Sequence, residues 1–278
     1  MVKPSKIAAP KPSRTPNRYA AIIAEVFCRH YVKGSRSVPF DRNEFVEIAA
    51  EKKIAVPKNL GDTIYSFKYR TKLPDSITRT APAGFEWIIA GTGIAKYEFK
   101  LVRPLDISPR SNLLVVKIPD ATPEIIGAYA LGDEQALLAK VRYNRLVDVF
   151  LGISASSLQN HLRTTVQGIG QIEIDELYVG IDRTGSQYVV PVQAKGGKDK
   201  HGRQQTEQDI ACCAQKFPLL KCRPVSAQFM TSNRIAMFEL AVQSGEVKVV
   251  AEEHYELVPA SQITPDDLAL YARKRKQS

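Results

Sequence analysis

Residues 171–195 read QIEIDELYVGIDRTGSQYVVPVQAK, and this stretch decides the fold of the second half of the chain. Apolar and polar residues alternate on both sides of the DRTGS segment at residues 182–186, which predicts two strands joined as a β-hairpin. A short loop that ends in glycine suits a type I turn followed by a residue in the left-handed region. If Asp182 and Ser186 close the loop, the pairing along both strands is fixed.

That pairing puts Asp175 opposite Gln193 and Glu173 opposite Lys195. Because side chains alternate along a strand, these four polar residues are predicted to share one face at the open end of the hairpin. The other face is predicted to be apolar and carries Ile172, Ile174, Tyr178, Val190, Val192 and Ala194. By the same alternation Glu176 points away from the four polar residues, and we interpret it as a structural residue.

The polar cluster has two interpretations. A cross-strand ion pair between Glu173 and Lys195 on a half-exposed sheet is common and contributes little to stability. Asp175 adds a second carboxylate beside the basic GGKDKHGR loop at residues 196–203, and adjacent carboxylates repel one another unless a cation binds between them. Hard oxygen ligands suit Mg²⁺, which lowers the pKa of a bound water and neutralises charge in phosphoryl chemistry. An adjacent lysine can orient the attacking water.

The residues of this cluster resemble the PD-(D/E)xK nuclease superfamily, which includes many type II restriction endonucleases. Asp175 stands at the start of one strand and Gln193-Ala194-Lys195 at the end of the next, which is the QxK form of the motif. The resemblance covers roughly residues 122–257 and implies an α/β fold, with an α+β mixed sheet and a restriction-endonuclease-like core. It implies that Asp175 is the principal metal ligand, Gln193 a ligand or water-holder, and Lys195 the residue that acts on the nucleophilic water.

Gln193 replaces the second acid of this motif, so the resemblance implies that another carboxylate compensates for it. Glu173 shares the face of Asp175 and ranks first, and Glu134 on the preceding helical segment is close behind. The implied catalytic residues are Asp175, Gln193, Lys195 and Glu173, and the implied metal ligands are Asp175, Gln193, Glu173 and Glu134. The implied cofactor is Mg²⁺, with Mn²⁺ able to substitute. His161 is interpreted as a structural histidine rather than a general base.

The net charge of +10 is concentrated in the N-terminal part of the chain. Residues 1–110 contain 20 Lys and Arg against 10 Asp and Glu, whereas residues 111–278 contain 19 against 19. This asymmetry predicts a polyanion-binding module joined to a neutral one, and nucleic acid is the commonest polyanion. The alternative is a basic surface that contacts only solvent.

The N-terminal part has the element order of a winged-helix domain. Helical periodicity from Asn17, a capping box at Asp41 and Glu44, a helix that ends before Pro74 and a hairpin around Gly91 predict this order. The third helix of such a domain enters the major groove. Candidate DNA contacts on this helix and the hairpin are Lys58, Asn59, Thr63, Ser66, Lys68, Arg70 and Lys96. Further phosphate contacts are predicted at Lys198, Lys200 and Arg203. A protein-interaction domain of the same order is the alternative.

Changes in composition divide the chain into five predicted parts. These are a disordered basic leader at 1–16, a winged-helix domain at 17–103, a linker at 104–121, a nuclease domain at 122–270 and a basic tail at 271–278. The linker is assigned from its prolines and mixed short runs. Within the nuclease domain, residues 156–166 are predicted to form a short helix or turn.

The four cysteines form no CxxC pair, and the histidines do not flank them at metal-ligand spacing. This pattern argues against a zinc site or a disulfide framework and favours a reducing, cytoplasmic location. No apolar run approaches the length of a membrane span, so no membrane partner is expected.

These observations predict a Mg²⁺-dependent endonuclease that hydrolyses phosphodiester bonds in double-stranded DNA. The expected type is a type II restriction endonuclease that acts as a homodimer, with a possible companion DNA methyltransferase acting on the same site. A repair or Holliday-junction-resolving nuclease is the alternative within this class. A DNA-binding regulator with a degenerate nuclease fold is the alternative from another class, because Gln193 removes a carboxylate from the motif.

Overall fold

The computed structural model divides into two compact units, Met1–Arg103 and Pro104–Ser278. The structure describes residues 19–56, 59–69, 71–105, 107–129, 134–196, 202–231, 233–243 and 246–274. The predicted leader at 1–16 and the last four residues of the predicted tail lie outside these ranges. Within them, no helix has both the length and the apolar character needed to cross a membrane.

The N-terminal unit packs short helices on a three-stranded antiparallel sheet. Its elements are α1 (Ala20–His30), β1 (Ser37–Asp41), α2 (Glu44–Glu51), α3 (Leu60–Tyr69), α4 (Asp75–Thr78), β2 (Glu86–Gly93) and β3 (Lys96–Val102). The strand order is β1-β3-β2. Phe27 of α1 stacks on Tyr31 and meets Trp87 and Phe99 edge-on, with ring centroids 4.8 to 5.2 Å apart. This aromatic cluster ties α1 to β2 and β3.

The strand β1 was not predicted from the sequence. Val38 and Phe40 are buried, whereas Ser37 and Pro39 are exposed. Buried and exposed residues therefore alternate, as in a half-buried edge strand. Proline is tolerated on an edge strand but weakens a strand prediction, because it cannot donate to the ladder. A five-residue segment that contains Pro39 therefore gave too weak a pattern for a strand to be predicted.

The second unit is built around one mixed sheet. Its elements are β4 (Val115–Pro119), α5 (Glu124–Tyr129), α6 (Glu134–Tyr143), α7 (Leu146–Leu151), β5 (Ser154–Val166), β6 (Gly170–Ile181), β7 (Gln187–Lys195), α8 (Arg203–Lys216), β8 (Lys221–Cys222), β9 (Val225–Phe229), β10 (Arg234–Gln243), β11 (Glu246–Val258) and α9 (Pro265–Lys274). The strand order is β4-β11-β10-β9-β7-β6-β5, with β8 beside β7. The β7–β9 and β4–β11 pairs are parallel, and the hairpin pairs are antiparallel. The predicted mixed sheet with helices is confirmed.

Helices cover both faces of this sheet. Leu137, Leu138 and Val141 of α6 pack in one apolar cluster with Val190 and Val192 of β7. Cys212 and Cys213 of α8 pack in another, which includes Val189 of β7 and Leu177 of β6. Because neighbouring residues of β7 belong to different clusters, α6 and α8 lie on opposite sides of the strand. The result is a sheet buried between two helical layers.

Three segment predictions in this unit are corrected by the structure. Residues 104–121, predicted as a linker, include β4 and the buried Ile107, which packs with Ala236 and Phe238. Residues 156–166, predicted as a short helix or turn, belong to β5, which pairs with β6 along most of its length. Most of β5 is exposed, so its sequence lacks the apolar alternation that marks a half-buried strand. The predicted tail also begins within α9, which extends to Lys274.

The hairpin of β6 and β7 has the predicted turn and register. Asp182 N donates to Ser186 O at 3.1 Å, and Gly185 has a φ of +86°, in the left-handed region that glycine adopts without strain. Paired residues run from Ile181↔Gln187 to Glu176↔Val192. The loop closed by Asp182 and Ser186 therefore sets the register of β6 and β7, as predicted.

Asp182 stabilises this turn through its carboxylate. Its oxygens accept hydrogen bonds from Thr184 N at 2.8 Å, Ser186 N at 3.0 Å and the Tyr188 hydroxyl at 2.8 Å. Bonds to the Thr184 and Tyr188 hydroxyls are the main reason that the pKa of Asp182 lies below its ordinary value.

Replacing Asp182 by alanine is expected to lower the melting temperature at pH 7. An acid whose pKa is lowered on folding contributes stability above its unfolded pKa, and this contribution is lost as the pH falls through its folded pKa. The difference between wild type and Asp182→Ala should therefore shrink toward acidic pH. Thermal unfolding at pH 7 and pH 3 measures it, with Arg183→Ala in the same turn as the control. A difference that is unchanged at the lower pH would contradict this account.

Candidate functional site

The site begins where the backbone ladder between β6 and β7 ends. The last paired residues are Glu176 and Val192, and the next residue of β6 is Asp175. Oδ2 of Asp175 accepts a hydrogen bond from Ala194 N at 2.9 Å, so the carboxylate bonds to the β7 backbone. Burial raises the pKa of Asp175, while the Ala194 bond and the charge of Lys195 act in the opposite direction. The structure thus holds this carboxylate in one place at the cost of partial desolvation.

Gln193 lies in the interior, with only 1% of its surface exposed. Its Nε2 donates to Glu173 O at 3.2 Å and to the carboxylate of Asp209 at 3.1 and 3.3 Å. Its Oε1 is buried and has no hydrogen-bond partner among the described residues. Buried polar atoms are normally paired, so this oxygen is an acceptor whose hydrogen-bonding capacity is unused among the described residues.

Asp209 is a buried acid of this site that sequence reasoning missed. It lies on α8, is 2% exposed, and faces the Gln193 amide. Burial raises its pKa well above the ordinary value, the Gln193 bond and Lys195 counteract this, and the charge of Asp175 adds to it. One signal was present in the sequence: Asp209 precedes Cys212 and Cys213 by three and four residues, so an acid stands on the apolar side of a helix.

Lys195 is the last residue of β7, and its charge acts on both Asp175 and Asp209. Its positive charge lowers the pKa of both Asp175 and Asp209. Its backbone pairs with Gln228 of β9, so the strand remains part of the sheet up to this residue. A lysine whose charge acts on two buried acids is part of an electrostatic cluster of the kind that is frequent at functional sites.

Glu173 was predicted to lie opposite Lys195, but its carboxylate pairs with other residues. Its carboxylate lies 3.3 Å from Arg163 and 3.4 Å from His161, both on β5, rather than across the hairpin from Lys195. The backbone ladder stops before Glu173 is reached, so the extrapolated pairing does not continue to it. Its charge still raises the pKa of Asp175, which places it within electrostatic range of that carboxylate.

His161 occupies a strained position beside Asp175. Its φ is +46°, in a region that residues with a side chain rarely adopt. The pairs Asn160↔Glu176 and Leu162↔Ile174 flank it, so His161 is the β5 residue across from Asp175. Its Nε2 lies 2.8 Å from Nε2 of Gln135 on α6. Such strain persists only where the surroundings hold it, and it is frequent near functional groups.

Glu134, the other acid considered for the site, is the first residue of α6. It precedes Gln135, whose side chain contacts His161. The helix therefore begins close to the part of β5 that lies across from Asp175.

Glu176 lies on the side of the sheet that faces α6. Its side chain is fully buried and its Oε1 lies 2.7 Å from Nε of Arg142. The predicted apolar face of the hairpin is not continuous, however. Tyr178 packs with the α6 cluster, whereas Ile172 and Ile174 pack with the cluster that includes α8. The simple alternation therefore does not hold beyond Glu176, where the ladder with β7 ends while β6 stays paired with β5.

The residues predicted to contact DNA lie in different environments. Lys58, Arg70, Lys198 and Lys200 lie outside the described residues. Thr63 is buried, contrary to the expectation that it faces outward, and the Ser66 hydroxyl bonds to the Thr71 hydroxyl at 2.8 Å. Oδ1 of Asn59 accepts from Gly61 N at 3.0 Å and caps the start of α3. Three basic residues of the set are described.

Of these three, Lys96 is exposed beside the β2–β3 turn. Burial lowers the pKa of Lys68 to about 8, which leaves it largely cationic at neutral pH. Nε of Arg203 lies 2.8 Å from the Glu207 carboxylate one turn along α8.

Two oxygen-bearing side chains of the site, Asp175 and Gln193, have the donor chemistry of Mg²⁺ ligands. No three His, Cys, Asp or Glu side chains come together as a metal site within the described ranges. Mg²⁺ is usually held by one or two carboxylates together with substrate phosphates, and it does not need an all-protein cage. Asp175 offers a fixed carboxylate, and Gln193 offers a buried oxygen that meets no donor in the described part of the chain, so both could contribute.

No family model, curated protein or solved structure matches this chain.

Proposed function

We propose that the chain is a Mg²⁺-dependent endonuclease that hydrolyses phosphodiester bonds in double-stranded DNA. The observations that carry this proposal lie at the end of the β6–β7 ladder. There the Asp175 carboxylate bonds to Ala194 N, the buried Gln193 Oε1 has no partner among the described residues, and the charge of Lys195 acts on Asp175. Hard oxygen ligands beside a lysine suit a cation that also contacts phosphate. The restriction-endonuclease-like core remains part of this proposal, supported by the QxK motif on two adjacent strands.

Asp175 and Gln193 would hold the cation, through a carboxylate oxygen and through Oε1. When bound, Mg²⁺ neutralises charge that develops on the phosphoryl oxygens and favours ionisation of water. Asp175 is kept in position by Ala194 N, so it loses little freedom on binding. Lys195 would orient the attacking water and stabilise the developing negative charge. Glu173 would adjust the local potential, since its charge already acts on Asp175.

The N-terminal unit would hold the duplex as a winged helix. Support comes from its helices α1 to α4 followed by the β2–β3 hairpin, from the β1-β3-β2 sheet and from its excess of positive charge. Lys68, Lys96 and the predicted contacts outside the described residues would bind phosphates. Phosphate contacts position a protein on DNA without reading the sequence.

The restriction role belongs to the same proposal. Cleavage of both strands usually uses two active sites, so a homodimer on DNA is expected, with a DNA methyltransferase acting on the same site as a possible companion. A cytoplasmic location agrees with the four cysteines, all of which are free thiols in the structure. The regulator alternative is favoured by Gln193, which stands where the motif has an acid.

Cleavage of supercoiled plasmid provides the direct test. The wild type should produce nicked and linear DNA with Mg²⁺ and none with EDTA. Lys195→Met should reduce the rate by about 10²–10⁴-fold, the range for loss of a group that assists proton transfer. Lys216→Met removes an exposed lysine at the end of α8 and should cleave at the wild-type rate. DNA binding without nicking under any metal condition would instead support a regulator, and preferential cleavage of branched DNA would support a resolving enzyme.

A further inference from the structure

We propose that Asp209 is a positioning residue, which orients the side-chain amide of Gln193 so that its Oε1 is the atom presented to the divalent cation. The inference rests on the proposed function, since it concerns how the same site holds its cation. It also answers which acid compensates for the glutamine of the QxK motif. On this account the compensating carboxylate acts through Gln193 and does not contact the cation itself.

The hydrogen bonds of the amide set its orientation. The two ends of a glutamine amide differ, because nitrogen donates and oxygen accepts. Nε2 of Gln193 meets three acceptor atoms, namely Glu173 O and both carboxylate oxygens of Asp209, at 3.1 to 3.3 Å. Turning the amide over would place Oε1 against these oxygens. The Glu173 carbonyl only accepts hydrogen bonds, and so does any Asp209 oxygen that carries no proton, so these acceptors select the nitrogen and leave Oε1 on the other side.

Burial makes this selection effective. Gln193 and Asp209 are both almost fully enclosed, at 1% and 2% exposed, so water cannot replace either partner easily. Asp209 is carried on a helix that is packed against the sheet through Cys212 and Cys213. Two buried groups that are held by packed elements keep one relative geometry, and hydrogen bonds in such surroundings are costly to break.

Exchanging the two side chains tests the inference. Gln193→Glu places two buried carboxylates against each other, whereas Asp209→Asn removes the acceptor-only partner and lets the Gln193 amide adopt either orientation. The double variant Gln193→Glu/Asp209→Asn restores a carboxylate–amide pair with the roles reversed, and the cation is then offered a carboxylate. Glu239→Gln, which breaks the ion pair with Arg223 elsewhere in the sheet, is the matched control.

Two measurements follow for each variant, namely thermal unfolding in EDTA and plasmid cleavage as a function of Mg²⁺ concentration. Gln193→Glu should lower the melting temperature by on the order of 10 °C without metal, and the double variant should recover most of that loss. Asp209→Asn should raise the Mg²⁺ concentration needed for half-maximal cleavage by about 10–100-fold, the range for residues that support metal ligands. The double variant should return this concentration toward the wild-type value. Glu239→Gln should change the melting temperature but not this concentration.

The outcomes separate this inference from the proposed function. A wild type that cleaves DNA, together with Asp209→Asn at an unchanged Mg²⁺ requirement, would overturn the positioning role and leave the nuclease proposal intact. A double variant less stable in EDTA than Gln193→Glu would overturn the inferred pairing, whatever the cleavage result. A wild type without Mg²⁺-dependent cleavage would instead overturn the proposed function.

Discussion

Replacing Asp175 by asparagine is expected to reduce Mg²⁺-dependent cleavage by on the order of 10³-fold, the size of effect seen when a central electrostatic group of an active site is removed. The folded protein should remain intact, because the asparagine oxygen can still accept the hydrogen bond from Ala194 N. Plasmid cleavage and circular dichroism of the same preparation would measure both properties.

The stability of Asp175→Asn should equal or exceed that of the wild type at neutral pH. Burial raises the pKa of Asp175, so the ionised carboxylate is less favourable in the folded chain than in the unfolded chain. Removing the charge removes this penalty. Sites that keep a desolvated charge for catalysis commonly lose stability by doing so.

Asp266→Asn, which changes an exposed acid on α9, is the control for this experiment. It should leave both cleavage and melting temperature unchanged. If Asp175→Asn instead unfolds the protein, Asp175 is needed for the fold, and its loss of cleavage would carry no information about catalysis. If Asp175→Asn cleaves at the wild-type rate, the site assignment is wrong.

Replacing Arg142, whose side chain is 35% exposed, by methionine is expected to lower the free energy of unfolding by about 3 kcal/mol, the lower end of the range for leaving a buried charge without its partner. Glu176 is fully buried, and its Oε1 lies 2.7 Å from Nε of Arg142. Methionine fills much of the space of the arginine stem but leaves the carboxylate without its cation. Denaturant unfolding at pH 7 measures the change.

The double variant Arg142→Met/Glu176→Gln should recover a large part of this loss, because the buried charge is removed with its partner. Arg234→Met provides the comparison, since its partner Glu256 lies 3.3 Å away and the arginine side chain is 44% exposed. That variant should cost less than about 1 kcal/mol. A double variant as unstable as the single one would show that the arginine acts by packing and not by neutralising Glu176.

The hairpin register could be predicted because it depends on local residues. Asp182, Gly185 and Ser186 determine the turn, and pairing then follows by counting along both strands. The same counting failed beyond Glu176, where Asp175 replaces a backbone hydrogen bond with one from its side chain. Periodicity describes a regular ladder, and it carries no information on where that ladder ends.

Residues that depend on tertiary contacts were harder to predict. Asp209 bonds to Gln193 across the space between a helix and the sheet, and no local pattern encodes that contact. The strand β4 pairs in parallel with β11 from the far end of the chain, and its short sequence was assigned to a linker. In contrast, Asp175, Gln193 and Lys195 could be grouped from the sequence because a single hairpin carries all three.

The two outer strands of the large sheet also bear on how the protein avoids aggregation. At one edge, β5 has a pairing irregularity between Ser157 and Gln159 and the left-handed His161, so it does not offer a flat, regular template. At the other edge, β4 is short, and Lys117 N already donates to the Tyr271 hydroxyl of α9. Unprotected edges recruit strands from other chains. Both ends of this sheet are therefore poor starting points for edge-to-edge growth, and α9 serves as the cover of one of them.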